Sequence, residues 1–172
     1  MPIELKGSCH CGAVKFSLES STAVPYQLCF CSICRKTAGT GGAINLGGHS
    51  STLKVLQGKE HISVYKAVID RDTPQERIAA SERNFCVKCA TMLWLYDETW
   101  PELIHPFASA IDTPLEVPKK MVILVAGDRY VCIKMNSKPD YVRLPEGDKE
   151  IYDDYGPLSL EEWHKEQNLY AA

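Results

Sequence analysis

Residues 86–89 read Cys86-Val87-Lys88-Cys89, and the two-residue gap between the cysteines is typical of a zinc knuckle, in which a tight turn aims both sulfurs at one ion. Two further segments, Cys9-His10-Cys11 and Cys29-Phe30-Cys31, each hold cysteines two residues apart. In an extended strand such residues point to the same face. Cys34 follows Cys31 with the knuckle gap. These spacings predict thiolates presented side by side.

Metal binding explains the cysteine clusters better than disulfides do. The amino-terminal residues 1–6 lack the basic flank and the apolar stretch of a secretory signal, so we expect a reducing, cytoplasmic setting. A disulfide between cysteines two residues apart would close a very small, strained ring. Seven of the eight cysteines are therefore predicted to be metal ligands. The eighth, Cys132, lies in an alternating strand-like run and is expected to be a small buried hydrophobic residue.

Counting suggests how the seven cysteines divide. A structural zinc takes four protein ligands, whereas a reactive zinc keeps three and leaves one position open. The natural division places Cys9, Cys11, Cys86 and Cys89 at the first ion and Cys29, Cys31 and Cys34 at the second. Two alternatives stay open, namely a bridged two-metal cluster over all seven thiolates and one zinc with three free cysteines.

Histidine is the other common zinc ligand, but a solitary histidine is more often packed or solvated. None of the histidines lies at a metal-ligand spacing from the three-cysteine group. They are His10, His49, His61, His105 and His164.

Three motifs together resemble the glutathione-dependent formaldehyde-activating enzyme family, which also includes the CENP-V type proteins. They are Gly7-Ser8-Cys9-His10-Cys11-Gly12-Ala13-Val14, Cys29-Phe30-Cys31-Ser32-Ile33-Cys34-Arg35-Lys36-Thr37-Ala38-Gly39 and Arg83-Asn84-Phe85-Cys86-Val87-Lys88-Cys89. The resemblance runs in order from about residue 5 to residue 135. A weaker match to the family is the segment Ala108-Ser109-Ala110-Ile111-Asp112. It implies a Mss4-like (β-tent) fold, in which small antiparallel sheets surround zinc and helices are few.

The resemblance also implies two zinc ions per chain. The family's structural ligands fall on Cys9, Cys11, Cys86 and Cys89, and its catalytic ligands fall on Cys29, Cys31 and Cys34. Two positions depart from the family pattern. Ala90 replaces a glycine after the knuckle, which alters the turn without removing a ligand, and Tyr141 replaces a tryptophan near the end of the domain.

Local patterns predict a mainly β chain. Val14, Phe16 and Leu18 alternate with polar residues, as in a half-buried strand. Residues 32–38 suit a short helix, and Ser159-Leu160-Glu161-Glu162 reads as a capping box that opens a final helix. We expect residues 1–140 to form the zinc-binding domain. Residues 141–172 are expected to form an acidic extension whose helix packs on that domain or on a second copy in a homodimer.

Charge and hydropathy exclude two classes of partner. The net charge of −3 does not indicate a nucleic-acid-binding or membrane-surface protein. The longest purely apolar run, residues 121–126, is far shorter than the ~20 residues that span a bilayer. The expected partner is therefore a small molecule, without nucleic acid or membrane.

The chemistry of a three-thiolate zinc favours capture of a thiol. Its formal charge is +2 − 3 = −1, so it is a weaker Lewis acid than a three-histidine zinc and is poorly suited to hydrolysis. Soft thiolate-rich zinc binds a further thiolate well. Arg35 and Lys36 adjoin the last ligand and are expected to offset this charge and contact the substrate.

Chemistry and resemblance together predict a carbon-sulfur lyase or synthase that forms or cleaves S-(hydroxymethyl)glutathione, or the adduct of another small carbonyl compound. Two alternatives remain. One is a non-catalytic zinc module or glutathione carrier, which a second site closed by histidine or Cys132 would favour. The other is the same scaffold acting on a different electrophile, with residues 39–48 and 94–107 shaping the pocket. Asp112 and His105 are candidate proton carriers.

Overall fold

The structure is a computed structural model of the 172-residue chain, and it describes residues 1–39, 41–117 and 130–172. The apolar run at residues 121–126 lies outside these residues, as does one position of the glycine-rich segment 39–48. No helix in the described part of the chain has the length and apolar character needed to cross a membrane.

Short strands account for most of the regular structure in the described residues. In chain order the strands are β1 (Ile3–Ser8), β2 (Lys15–Ser20), β3 (Gln27–Cys29), β4 (Ala43–Ile44), β5 (Gly48–His49), β6 (Lys54–Gln57), β7 (Ile62–Ile69), β8 (Arg77–Cys86), β9 (Met92–Tyr96), β10 (Leu103–Pro106), β11 (Tyr130–Ile133) and β12 (Lys149–Ile151). The two α-helices are α1 (Ser32–Ala38) and α2 (Leu160–Glu166). Short 3-10 turns occur at Ser50–Thr52, Lys59–His61, Ala108–Ala110 and Met135–Ser137.

The strands form three small sheets. Their spatial orders are β1-β2-β6, β5-β10-β9-β8-β7 and β12-β11-β3-β4. All pairs in the first two sheets are antiparallel, whereas in the third sheet β11 pairs in parallel with both β3 and β12. The prediction of a mainly β fold with small antiparallel sheets and few helices is confirmed, and the parallel pairs of the third sheet are an addition to it.

Both predicted helices are present where the sequence placed them. Helix α1 covers the expected residues 32–38. Helix α2 begins after the predicted capping box, in which the Ser159 hydroxyl accepts a hydrogen bond from the Glu162 N–H at 3.2 Å. The Glu162 carboxylate in turn accepts one from the Ser159 N–H at 2.8 Å. This reciprocal pair satisfies N–H groups that a helix start leaves without partners.

The first two sheets share the main hydrophobic core. Strand β2 contributes Phe16 and strand β9 contributes Trp94, and their rings meet edge to face with centroids 5.0 Å apart. Cys9 and Cys86 are buried in this same core. A metal ion held by these cysteines would therefore join β1 to β8 at the edge of the core.

The C-terminal residues pack against the third sheet. Trp163 of α2 stacks on Tyr26 with ring centroids 3.5 Å apart, beside Val131 and Ile133 of β11. Strand β12 extends the same sheet. These contacts tie the acidic extension to the strand β3 that carries Cys29, while the boundary at residue 140 stays a prediction.

Candidate metal centres

The four sulfurs of the first predicted group converge. Those of Cys9, Cys11, Cys86 and Cys89 all lie within 4.8 Å of one another. The sulfur of Cys11 lies 3.5 Å from that of Cys9 and 3.9 Å from that of Cys86. A tetrahedral zinc with Zn–S bonds of ~2.3 Å requires sulfurs ~3.8 Å apart. The donor set and its spacing therefore fit a four-coordinate zinc.

Neighbouring groups stabilise the thiolate form of two of these cysteines, Cys9 and Cys89. The Val14 N–H donates to the sulfur of Cys9 at 3.2 Å. The Thr91 hydroxyl lies 3.2 Å from the sulfur of Cys89 and lowers the pKa of that thiol to about 5. Because zinc binds thiolates and not thiols, both contacts favour metal binding.

The turn after β8 completes this group. The Ala90 N–H donates to the carbonyl oxygen of Cys86 at 2.8 Å, and Ala90 adopts a left-handed backbone with φ of 58°. This conformation is the one in which glycine carries no steric cost. The replacement of the family's glycine thus leaves the turn in place and strains it.

The sulfurs of the second group also converge. Those of Cys29, Cys31 and Cys34 all lie within 4.8 Å of one another. Cys29 ends β3, Cys31 is the N-cap of α1, and Cys34 lies in the first turn of that helix. The Cys34 N–H donates to the sulfur of Cys31 at 3.3 Å. The seven cysteines therefore group as four and three, which favours two separate centres over one bridged cluster.

The side-by-side thiolates do not come from extended strands. Of the residues at 9–11 and 29–31 only Cys29 lies in a strand, because β1 ends at Ser8 and a turn carries Cys9 and Cys11. Cys31 likewise lies in a bend beyond β3. In a strand, residues two apart are separated by roughly 6.6 Å, which is too far for both sulfurs to reach one ion easily. A turn brings them closer.

The pKa values of the three thiols in the second group favour a bound cation. Contacts with Cys29 and Cys34 lower the pKa of Cys31 to about 2, because both hold its sulfur as a thiolate. The contact with Cys31 raises the pKa of Cys29, since a second thiolate would be repelled by the first. A divalent cation removes this repulsion and favours loss of the remaining protons. Three sulfur donors suit zinc.

Among the described residues, no further side chain joins the second group as a metal ligand. Cys132 is buried on β11 and belongs to neither group. No histidine of the described chain joins either group. His164 has both ring nitrogens occupied, by the Leu160 carbonyl at 2.7 Å and the Val24 N–H at 3.1 Å. His105 places Nδ1 3.2 Å from the Leu46 carbonyl oxygen.

Two polar residues beside the second group were missed by the sequence reasoning. Asn45 accepts a hydrogen bond from the sulfur of Cys34 at 3.9 Å, and its Nδ2 is buried without a partner in the described part of the chain. A metal-bound Cys34 thiolate can only accept hydrogen bonds. Rotation of the Asn45 amide by half a turn would offer its Nδ2 as the donor. Arg83 is 4 % exposed, with its Nε also buried and unpartnered. Arg83 opens the knuckle motif quoted above, but its burial has no signal in the cysteine spacing.

The predicted substrate residues on α1 differ from each other. Arg35 is half-buried, and its Nε is buried with no partner in the part of the chain that the structure describes, whereas Lys36 is exposed. Their contact with a substrate stays a prediction.

A cavity of about 440 Å³ lies between the four-cysteine group and α1. It is lined by Ser8, Cys9, His10, Thr37, Ala38, Ala90, Thr91, Met92, Ser109 and Asp112. Asp112 thus faces the cavity, whereas His105 does not line it. A second cavity of about 410 Å³ is lined by Leu28, Phe30, residues 42–44 and residues 142–145. The glycine-rich segment shapes this second cavity, and of residues 94–107 none lines either one.

Comparison with known proteins finds one matching family model, described as glutathione-dependent formaldehyde-activating enzyme, over residues 4–126. A Halomonas elongata protein named "Putative glutathione-dependent formaldehyde-activating enzyme" is 46% identical over 167 residues, which cover 96% of this chain and 97% of the relative. A crystal structure of a Rhodobacter sphaeroides protein superposes with a TM-score of 0.50 at 26% identity, over 63% of this chain and 89% of that one.

Proposed function

The chain belongs to the glutathione-dependent formaldehyde-activating enzyme family, and on that premise we propose that it is a zinc-dependent carbon-sulfur lyase or synthase. Its substrate is the adduct of glutathione with formaldehyde or another small carbonyl compound. The observation that carries this proposal is the three-sulfur group of Cys29, Cys31 and Cys34, to which the described chain adds no fourth ligand.

We assign different roles to the two cysteine groups. Cys9, Cys11, Cys86 and Cys89 hold a structural zinc that contributes to folding. Cys29, Cys31 and Cys34 hold a second zinc, which supplies an open coordination position that favours ionisation of a thiol and holds its sulfur. The support for this division is the number of ligands, four against three. Burial does not separate the groups, since each contains both buried and more exposed cysteines.

The surroundings of the second group suit a reaction with a small carbonyl compound. Cys34 packs with Ala43 and Phe107, and Met92 and Leu95 pack against them. These apolar side chains keep water from one side of the group, while the half-exposed Cys29 and Cys31 leave the other side open. Exclusion of water limits hydrolysis and strengthens electrostatic interactions at the reacting atoms.

The reaction needs no oxidant in either direction, and its synthetic direction has no leaving group. In the synthetic direction the glutathione sulfur forms a bond to the carbonyl carbon, and the carbonyl π electrons move to oxygen. That oxygen takes up the proton that the thiol gave up, so the product contains all atoms of both reactants. In the lyase direction the carbon-sulfur bond breaks and the proton returns to sulfur.

The glutathione peptide is proposed to lie in the 440 Å³ cavity. Thr37 and Ala38 connect this cavity to the helix that carries Cys34, and Ala38 packs against the second cysteine group. Glutathione bears two carboxylates and one ammonium group. Arg35 and Lys36 on α1 offer cations for the carboxylates, and Asp112 in the cavity offers an anion for the ammonium group.

Native mass spectrometry with and without glutathione tests the open position. We expect two zinc ions per chain and one bound glutathione. Cys31→Ser should lose the glutathione adduct, whereas Cys132→Ser, the same change at a buried cysteine outside both groups, should keep it. One zinc ion, or two zinc ions without thiol binding, would contradict the proposal and favour a structural module.

Turnover is tested separately. The rates of formation and cleavage of S-(hydroxymethyl)glutathione are followed by NMR, against the uncatalysed reaction. A rate above the uncatalysed one that is lost in Cys31→Ser supports the enzyme. Thiol binding without any acceleration would indicate a glutathione carrier instead.

A further inference from the structure

Arg83 is a buried cation in the middle of β8. Only 4 % of its surface is exposed, and its Nη1 donates to the Ser81 hydroxyl at 3.2 Å. Its Nε is buried and has no hydrogen-bond partner among the described residues. No carboxylate of the described residues forms an ion pair with it. The neighbouring Glu82 pairs with Lys66 instead, at 3.2 Å.

The sheet places Arg83 on the side of the second cysteine group. Arg83 stands directly opposite Leu95 of β9, and side chains of directly paired residues lie on the same face. Leu95 packs against the cluster that contains Cys34. The Arg83 side chain therefore lies on the face of the sheet that packs against this cluster.

The described residues give this buried guanidinium no carboxylate partner, and burial of a charge without a counter-charge is costly. We propose that Arg83 is the counter-ion of the three-cysteine centre and that it increases the affinity of this centre for an anionic sulfur ligand. The proposal rests on the function proposed above, because it assumes that the centre binds zinc and a thiol.

Charge counting shows why one buried cation matters. Three thiolates leave a zinc centre with a formal charge of +2 − 3 = −1, and Arg83 brings the sum to zero. A fourth thiolate then takes it to −1 instead of −2. Because charges interact more strongly away from water, a buried cation contributes more than an exposed one.

Other nearby cations are less suited to this role. Lys36 is exposed, so solvent screens it, and Arg35 is only half-buried. Lys134 already forms an ion pair with Asp154. His105 also stands opposite Leu95, but burial lowers its pKa and so disfavours its charged form. Arg83 is therefore a positioning residue for the thiolate and does not need to touch the carbonyl compound.

The test measures thiol affinity without turnover. Zinc-loaded protein is titrated calorimetrically with glutathione and, separately, with 2-mercaptoethanol, which has no carboxylates. The variants are Arg83→Met and Arg83→Lys. Arg77→Met is the matched control, because it removes an exposed arginine from the same strand. If Arg83→Met fails to bind two zinc ions, Arg83→Gln replaces it in the comparison.

We expect Arg83→Met to weaken the binding of both thiols by a similar factor, about tenfold or more. Arg83→Lys should retain most of the affinity, since it keeps the charge, and Arg77→Met should match the wild type. The inference is overturned if the affinity of Arg83→Met for both thiols is within twofold of the wild type, or if Arg83→Lys binds thiols as weakly as Arg83→Met. It is also overturned if only glutathione binding weakens, which would mean carboxylate recognition. Wild-type protein that binds no thiol contradicts the proposed function itself.

Discussion

The Ala90 N–H lies 2.8 Å from the carbonyl oxygen of Cys86, and this hydrogen bond closes the turn that aims Cys86 and Cys89 at one ion. Ala90 accepts a left-handed backbone to make it, with φ of 58°. Such a conformation costs an alanine roughly 1–2 kcal/mol, while glycine adopts it freely.

Ala90→Gly should therefore stabilise the zinc-loaded protein. Relief of strain exceeds the added chain entropy of glycine, which is about 0.4–1 kcal/mol, so we expect a net gain of about 0.5–1 kcal/mol. The measurement is the free energy of unfolding in urea. Ala80→Gly, at an exposed position of β8, is the control and should destabilise the protein. Equal losses in both variants would show that Ala90 is not strained.

Asn45 gives a second prediction, because its side chain lies 3.9 Å from the sulfur of Cys34. Asn45→Asp places a carboxylate beside a thiolate, and the two like charges repel. We expect zinc affinity at the second centre to fall about tenfold, with the first centre unchanged. Zinc release to a competing chelator measures this. Asn136→Asp adds the same charge at an exposed site and should release zinc as the wild type does.

Local signals were sufficient for much of the fold. The alternation around Phe16 predicted β2, and the box from Ser159 to Glu162 predicted α2, because each depends on neighbours within a few residues. The two cysteine groups were also predictable, since ligand number and spacing are fixed by the chemistry of zinc.

Long-range contacts were not accessible from the sequence. The parallel pairing of β11 with β3 joins segments about a hundred residues apart, and no local pattern encodes such a partner. The same holds for Arg83 and Asn45, which reach the second cysteine group only through strand pairing and loop packing. Arg35 and Lys36 adjoin Cys34 in the sequence, but adjacency in sequence is a poor guide to burial.

The two cysteine groups should respond differently to substitution. Cys86→Ser should reduce the yield of soluble folded protein, because a structural zinc contributes directly to folding and Cys86 lies in the core. Cys31→Ser should leave the circular dichroism spectrum close to that of the wild type and abolish thiol-dependent turnover. The comparison uses soluble yield, spectrum and rate for both variants. Identical loss of folded protein in both would contradict the division into structural and reactive centres.

His164 makes the docking of α2 sensitive to pH. It is fully buried, and burial lowers its pKa below the ordinary value of ~6.5. The unfolded chain therefore binds a proton more readily than the folded chain, so this histidine contributes stability above about pH 6.5 that is lost as the pH falls towards its folded pKa. The measurement is urea unfolding, followed by the fluorescence of Trp163 and the other tryptophans. Between pH 7.5 and pH 5.5 (~two units across the ordinary pKa) we expect the free energy of unfolding to fall more in the wild type than in His164→Gln. The difference between the two proteins removes the pH dependence of zinc binding, which they share. An equal loss in His164→Gln and the wild type would show that the buried imidazole is not the source of the pH dependence.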